Sequence, residues 1–200
     1  PIRDGEAFWQ GKPLAPRLYN TSYFFGPDGK IIGKQDKVNL IDLERDEALR
    51  LDPAPLGELR TYETELGKVG IAVCLDAFED PVVDTLVQEG AEILVQPSAN
   101  PGPWDHDQQV DWLRGSYRRV AVEERFEYAV NPMMNGSIWE IEFYGQSAIV
   151  AKVSRTVGPA CHGYAALGPA AGFLAVAKGD ATEEVLVARV PHPRASVVNR

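Results

Sequence analysis

The chain has 200 residues, 44% of them hydrophobic, which is enough to bury one substantial core, and its length favours a single domain over residues 1–200. A formal charge of −9 argues against a surface built to hold phosphate backbones, so nucleic acid is not an expected partner. No stretch approaches the roughly 20 apolar residues that cross a bilayer, no signal segment opens the chain, and two cysteines, Cys74 and Cys161, are too few for a disulfide framework, so a cytoplasmic protein without a membrane partner is expected.

The chain begins with Pro1, and the opening PIRDGEAFWQGKPLAPR is polar and rich in Pro and Gly, which reads as an internal loop and suggests a fragment of a longer protein. Residues 19–25 favour a strand, Gly26-Pro27-Asp28-Gly29 supplies turn residues, and residues 30–38 resume the strand pattern, predicting a hairpin. A short charged helix is expected over 42–51, ended by Pro53 and Pro55, then strands over 59–64 and 69–75 around the turn at Leu66-Gly67-Lys68. The second of these, VGIAVCL, is continuously apolar, as in a strand covered on both faces. Asp80 is a candidate N-cap with Pro81 at the first helical position, Val82, Val83, Leu86 and Val87 give one apolar face, and Gly90 ends the helix. Residues 92–96 form another apolar strand, so the unit is βαβ with a parallel pair. Val110, Leu113, Tyr117, Val120, Ala121 and Glu124 fall at helical spacing, predicting one long amphipathic helix, and strands are expected over 128–131, 146–152 and 183–190.

Cys74 closes the apolar strand just before a loop and a helix, the sheet edge where α/β folds bind ligands. Taken alone it reads most simply as a small buried hydrophobe, which is what most free cysteines are. Its surroundings point further. In GKVGIAVCLDAFEDPVVDTLVQEGAEILVQPSAN, residues 67–100, a strand ends in Cys74, Asp76 stands two residues on, and the next strand ends in Pro97-Ser98-Ala99. Upstream, YNTSYFFGPDGKIIGKQDKVNL, residues 19–40, carries Lys37 at the end of the predicted hairpin, and downstream FEYAVNPMMNG and FYGQSAIVAK occupy residues 126–136 and 143–152.

These four blocks, in this order over residues 19–190, resemble the nitrilase superfamily of carbon–nitrogen hydrolases. The resemblance implies an α/β fold, the α-β-β-α sandwich of that family, incomplete at the N-terminus. It implies Cys74 as the nucleophile that forms an acyl-enzyme, with Lys37 lowering the thiol pKa and holding the developing oxyanion together with the backbone N–H of Leu75. Glu44 matches the acid that orients the lysine in some branches, with Glu47 as the fallback; a solvated helix-face carboxylate is the alternative. Asp76, Ser98, Asn100 and Trp104 join Leu75 as expected substrate contacts, Trp104 either lining the site or capping the core. The usual Lys-x-His-Leu reads here Lys37-Val38-Asn39-Leu40. The family's general base is a Glu on an early strand well before the lysine; Glu6, the one Glu ahead of Lys37, sits in an irregular segment and does not take that role. The resemblance implies a small-molecule amide or nitrile substrate, no cofactor, and a homo-oligomer. A non-catalytic relative that binds in the same pocket and an acyl-transferring member remain open.

Two other clusters carry no assigned chemistry. Asp105-His106-Asp107 lacks the spacing of zinc sites and reads as solvated loop, so no metal is expected, and Cys161-His162 lies among Gly158, Pro159 and Gly163 as loop.

Overall fold

The computed structural model describes residues 2–3, 6–9, 12–14, 17–46, 49–156 and 162–194, the first three stretches as backbone. Those three form a small antiparallel sheet of β1 (Ile2–Arg3), β2 (Glu6–Trp9) and β3 (Lys12–Leu14). The Glu6 side chain, Glu47 and Cys161 lie outside the described residues.

The predicted hairpin forms from β4 (Thr21–Phe25) and β5 (Ile31–Asp36), antiparallel, with Gly29 at φ 75° in the turn between them. A positive φ is the conformation that glycine adopts without a Cβ penalty. The expected helix after it is shorter than the charge pattern suggested, a single turn α1 (Asp42–Arg45). Two strands follow, β6 (Thr61–Thr64) and β7 (Gly67–Ile71), then α2 (Asp80–Gln88) and β8 (Ile93–Val95). Strands β7 and β8 pair in parallel, as the βαβ reading required. Glu79 holds the N-cap position of α2 without a side-chain capping bond, and Asp80 and Pro81 are its first two residues, so the helix begins one residue earlier than the sequence suggested.

The long amphipathic helix is interrupted. α3 (His106–Trp112) ends near Leu113, and after a break the chain resumes as a π-helical turn over Arg118–Val122. Val110, expected on the buried face, is exposed. Gly115 occupies the break, in a position where a Cβ would lie 2.9 Å from both polar atoms of the Gln96 side chain. Then come β9 (Tyr128–Asn131), the hairpin of β10 (Gly136–Ile138) and β11 (Ile141–Phe143), β12 (Ala148–Ala151) and β13 (Phe173–Val176). The strand expected over 183–190 does not form; its valines Val185 and Val187 are exposed, and Phe173–Val176 takes the sheet edge instead. Alternating apolar residues specify a strand only where an open edge and a face to cover are within reach.

The central sheet has the order β13-β12-β9-β8-β7-β6, parallel across β7, β8 and β9 and antiparallel elsewhere. Side-chain alternation divides its apolar residues between two faces. On one, Ala72, Leu94, Ala129, Ala148 and Val150 pack with Val82, Val83 and Leu86 of α2, Trp112, Val120 and Phe126. On the other, Val69, Ile71 and Val73 pack with Phe24, Tyr62, Ile93 and Val95. Burying a side chain such as Leu94 completely contributes about 1.5–3 kcal/mol, so the helical face dominates the core.

The β4–β5 hairpin leans on this second face through one close approach. Phe24 meets the Tyr62 ring at 5.7 Å between centroids, and the Tyr62 hydroxyl donates to the Lys34 carbonyl at 2.6 Å. Gly33, paired with Phe24, has the Tyr62 ring against it: a Cβ there would lie 2.0 Å from Tyr62 Cε1. This contact sets the height at which the hairpin delivers Lys37. Gly33→Ala is therefore expected to destabilise the fold by about 1–3 kcal/mol, as forced overpacking does, read as a lower denaturation midpoint; unchanged stability would mean that the hairpin does not seat on Tyr62.

Candidate active site

At the C-terminal end of β7 the chain stays extended through Ala72, whose N–H donates to Val95 O at 3.0 Å, and Val73. Cys74 then opens a 3₁₀ turn, Cys74–Phe78, where the sequence predicted the strand to continue to Leu75. Its backbone is left-handed, φ 52°. A non-glycine residue there costs about 1–3 kcal/mol and persists only where the surroundings over-determine it. They do so here. Cys74 N–H donates to Pro97 O at 2.9 Å, Gln96 Nε2 donates to Cys74 O at 3.0 Å, and Asp76 N–H donates to Val73 O at 3.1 Å. At the far end of the turn Arg119, itself buried, donates from Nε to Ala77 O at 3.0 Å and from Nη2 to Phe78 O at 2.7 Å. Arg119 also pairs with Asp80 and Glu123. The turn is thus clamped from both ends, and the thiol stands at the end of a parallel strand.

Lys37 is only 2% exposed, and its ammonium donates to Glu44 Oε2 at 2.6 Å. Glu44 accepts two further hydrogen bonds, from Asn20 Nδ2 to Oε1 at 2.6 Å and from Ile41 N–H to Oε2 at 2.9 Å. The single turn α1 exists to make this contact: its three-residue return from Ile41 carries Glu44 back over the hairpin end. Burial pushes the Glu44 carboxyl up, but the hydrogen bonds from Lys37, Asn20 and Ile41 outweigh it and hold the pKa below the ordinary value. Glu44 is thus a charge-bearing partner with both oxygens engaged. Its contribution to stability is present above the ordinary glutamate pKa and is lost as pH falls through the depressed one.

Asp76 is completely buried and turns away from the cavity. It accepts from Val38 N–H at 3.1 Å, from Asn39 N–H at 2.7 Å and from Asn39 Nδ2 at 3.0 Å. Burial is the largest influence on its carboxyl and leaves the pKa raised, although those three donors and Lys37 pull it down. Asp76 braces the lysine segment against the cysteine turn, and Asn39 supplies two of its donors.

Burial is also the largest influence on Cys74 and raises its pKa, helped by the charge of Glu44 and opposed by the charge of Lys37 and the backbone of Ala99 and Leu75, which lower it. Lys37 acts in the expected direction, but the expectation that the thiol falls below an ordinary cysteine is corrected: the lysine's charge is shared with Glu44, and desolvation wins.

A cavity of about 540 Å³ opens above the thiol. Cys74, Val73, Pro97, Ser98 and Ala99 form its floor, and Asn20, Ile41 and Glu44 one side. The opposite wall is apolar and comes from Met134 and the β10–β11 hairpin, through Ile138, Trp139, Ile141 and Phe143. Among the described residues Glu44 is the one acidic side chain lining it, and no group of three metal-ligating side chains gathers anywhere.

Of the expected substrate contacts, Ser98 alone lines this cavity, with its hydroxyl donating to Gln96 O at 3.0 Å. Leu75 presents its backbone to the sulfur while its side chain lies off the wall. Asn100 is buried and holds the hairpin base, accepting from Tyr144 N–H at 3.1 Å and donating to Gly102 O at 3.4 Å. Trp104 caps the core: its Nε1 donates to Gln146 Oε1 at 3.0 Å and its ring meets Trp112 and Tyr164. The sequence reading missed Asn20, Gln96, Arg119 and the apolar hairpin wall. Isolated amides and one arginine in a helix carry no spacing signal; the pairing Ile138–Ile141 across Trp139-Glu140 was the legible one.

With the geometry in hand, comparison with known proteins fixes the family. The carbon-nitrogen hydrolase family model matches residues 7–162, and the chain belongs to that family. Omega-amidase NIT2 of Mus musculus is 30% identical over 100 residues, covering 46% of this chain and 36% of that protein. Saccharomyces cerevisiae Nit3, a member of branch 10 of the nitrilase superfamily, superposes with a TM-score of 0.56 at 24% identity, over 81% of this chain and 50% of that one. An amidase from Nesterenkonia sp. AN1, solved with the acetamide moiety of fluoroacetamide added covalently at its active site cysteine, matches at a TM-score of 0.54 and 20% identity over 66% of this chain and 46% of that one. The fold is that of the nitrilase superfamily, and the chain matches about a third of the length of the omega-amidase and half that of Nit3.

The opposed influences of Lys37 and Glu44 on the thiol give a test by sign. In a pH series of iodoacetamide labelling read at the Cys74 peptide, Lys37→Met is expected to move the midpoint up and Glu44→Gln to move it down. Midpoints unmoved by both substitutions in folded protein would separate Cys74 from the pair.

Proposed function

We propose that the chain is the catalytic core, a single domain, of a thiol-dependent hydrolase that cleaves the C–N bond of a small amide, with Cys74 as nucleophile. The observation that carries this reading is a thiol on a left-handed turn at the floor of a cavity, beside a lysine buried against a carboxylate. A buried ion pair is weak evidence for stability, since desolvating both charges costs about what their attraction returns. A lysine placed there serves the charge that develops in a reaction.

In this mechanism the Cys74 sulfur attacks the amide carbon, a C–S bond forms, and the carbonyl electron pair moves onto oxygen. The Leu75 N–H and the Lys37 ammonium hold that oxyanion. Its collapse expels ammonia or an amine, which takes up a proton, and leaves an acyl group on Cys74. Water then attacks the thioester, releases the acid and restores the thiol. A nitrile carbon would add to the same sulfur. Glu44 orients Lys37, and its depressed pKa makes it a poor base, so proton transfer falls to a group outside the described residues, the upstream glutamate that the family resemblance implies. The apolar hairpin wall suits an acyl group with a hydrocarbon body. The omega-amidase likeness supports an amide over a nitrile, and the complete protein is read as a homo-oligomer acting on small molecules in the cytoplasm.

The competing reading is a binding protein that keeps the pocket without the chemistry, and the upward-shifted thiol is the observation that favours it. Release of ammonia from a panel of small primary amides separates the two. Cys74→Ala and Lys37→Met are each expected to cost about 10³-fold or more, as loss of one member of a cooperating group does. An amide that binds by calorimetry, with neither turnover nor any acyl adduct on Cys74, would establish the binder instead.

A further inference from the structure

Gln96 follows β8 and is completely buried, an uncommon position for a glutamine. Both ends of its amide are engaged: Nε2 donates to Cys74 O at 3.0 Å, and Oε1 accepts from Ser116 N–H at 2.9 Å, at the break after α3. The break itself is shaped around it, since Gly115 leaves no room for a Cβ beside either polar atom of the amide. A residue that only filled the core would be apolar here; this one joins the nucleophile turn to a helix break on the far side of the sheet.

Its point of attachment matters. The peptide joining Cys74 to Leu75 is planar and trans, so its C=O and N–H point in opposite directions. Whatever holds the carbonyl aims the N–H. The Leu75 backbone faces the Cys74 sulfur, and the left-handed Cys74 gives this peptide a strained conformation from which to rotate. We propose that Gln96 is a positioning residue for oxyanion stabilisation: by gripping the Cys74 carbonyl it fixes the Leu75 N–H toward the oxygen of the bound acyl group. The inference rests on Cys74 being the nucleophile of the reaction above, and it assigns the aiming of one donor to a side chain that never meets substrate.

Two reagents separate this role from packing. Iodoacetamide alkylates the thiolate at a saturated carbon, forming a C–S bond as iodide leaves, and develops no oxyanion. With p-nitrophenyl acetate the sulfur adds to the carbonyl carbon, the electron pair passes through the oxyanion, and p-nitrophenolate leaves, giving acetyl-Cys74. Both rates scale with the thiolate fraction, so their ratio, read by mass spectrometry on the Cys74 peptide of the full chain, reports the oxyanion contribution alone. Gln96→Met is expected to lower the ratio about tenfold or more. Gln96→Glu keeps the acceptor for Ser116 N–H and donates to Cys74 O only when protonated, so its ratio is expected to be low near pH 8 and to recover as pH falls toward about 5. A Gln96→Met ratio equal to that of the unsubstituted chain, or, where that variant does not fold, a Gln96→Glu ratio equal to it at every pH, overturns the proposal. An unsubstituted chain that iodoacetamide alkylates at Cys74 but the ester never acetylates sinks the nucleophile reading itself, a result distinguishable from loss in the variants alone.

Discussion

The site is organised around one buried contact, the Lys37 ammonium against Glu44 at 2.6 Å. An isolated ammonium at that depth would shed its proton or drag in solvent. Here it meets a carboxylate with three donors, and the local architecture follows from supplying those donors. The hairpin brings Lys37 and Asn20 to one end, and α1 needs no more than one turn because its task is to return Glu44 over Ile41 N–H. Asp76 then locks Val38 and Asn39 to the cysteine turn, so lysine and thiol cannot drift apart independently.

The electrostatics of the site are a balance, with each group held against the tendency of its neighbours. Desolvation raises Cys74 and Asp76, hydrogen bonding holds Glu44 low, and Lys37 pulls on all three. Burial favours the thiol form of the sulfur beside the Lys37–Glu44 pair. Such a site suits a reaction in which the proton leaves as the substrate carbon is approached, when the negative charge that appears next to Lys37 meets a field already oriented to stabilise it.

Much of this was legible in the chain. The Pro27-Asp28 turn, the apolar strands on either side of α2, and the ordered blocks around Lys37, Cys74 and Pro97-Ser98-Ala99 carried the fold and the central residues, because strand period, turn chemistry and motif order are local properties. What escaped was set by tertiary contact. The period over 110–124 promised one helix, but seating Gln96 requires Gly115 and a break there. The alternation over 183–190 promised a strand, but β13 already occupies the edge. Trp104 and Asn100 follow the motif closely in sequence, yet the chain turns beneath the sheet edge within a few residues, and one joins the core while the other anchors a hairpin. Asn20 acts through a hydrogen bond to the Glu44 side chain, and Gln96 and Arg119 through hydrogen bonds to distant backbone, none of which leaves a periodic trace.

The hairpin over the cavity is built differently from everything beneath it. Strands β10 and β11 pair chiefly with each other, touch the loop below through Pro101 and Phe143, and carry at their tip Trp139, 77% exposed with φ 54°, beside Ile138. Side chains so placed contribute little to the core, and changing them costs the fold little. The buried floor, by contrast, tolerates almost nothing, because each group there answers to two or three others. Substitutions can therefore reshape the roof of the cavity one at a time while the interlocked contacts of its floor stay as they are.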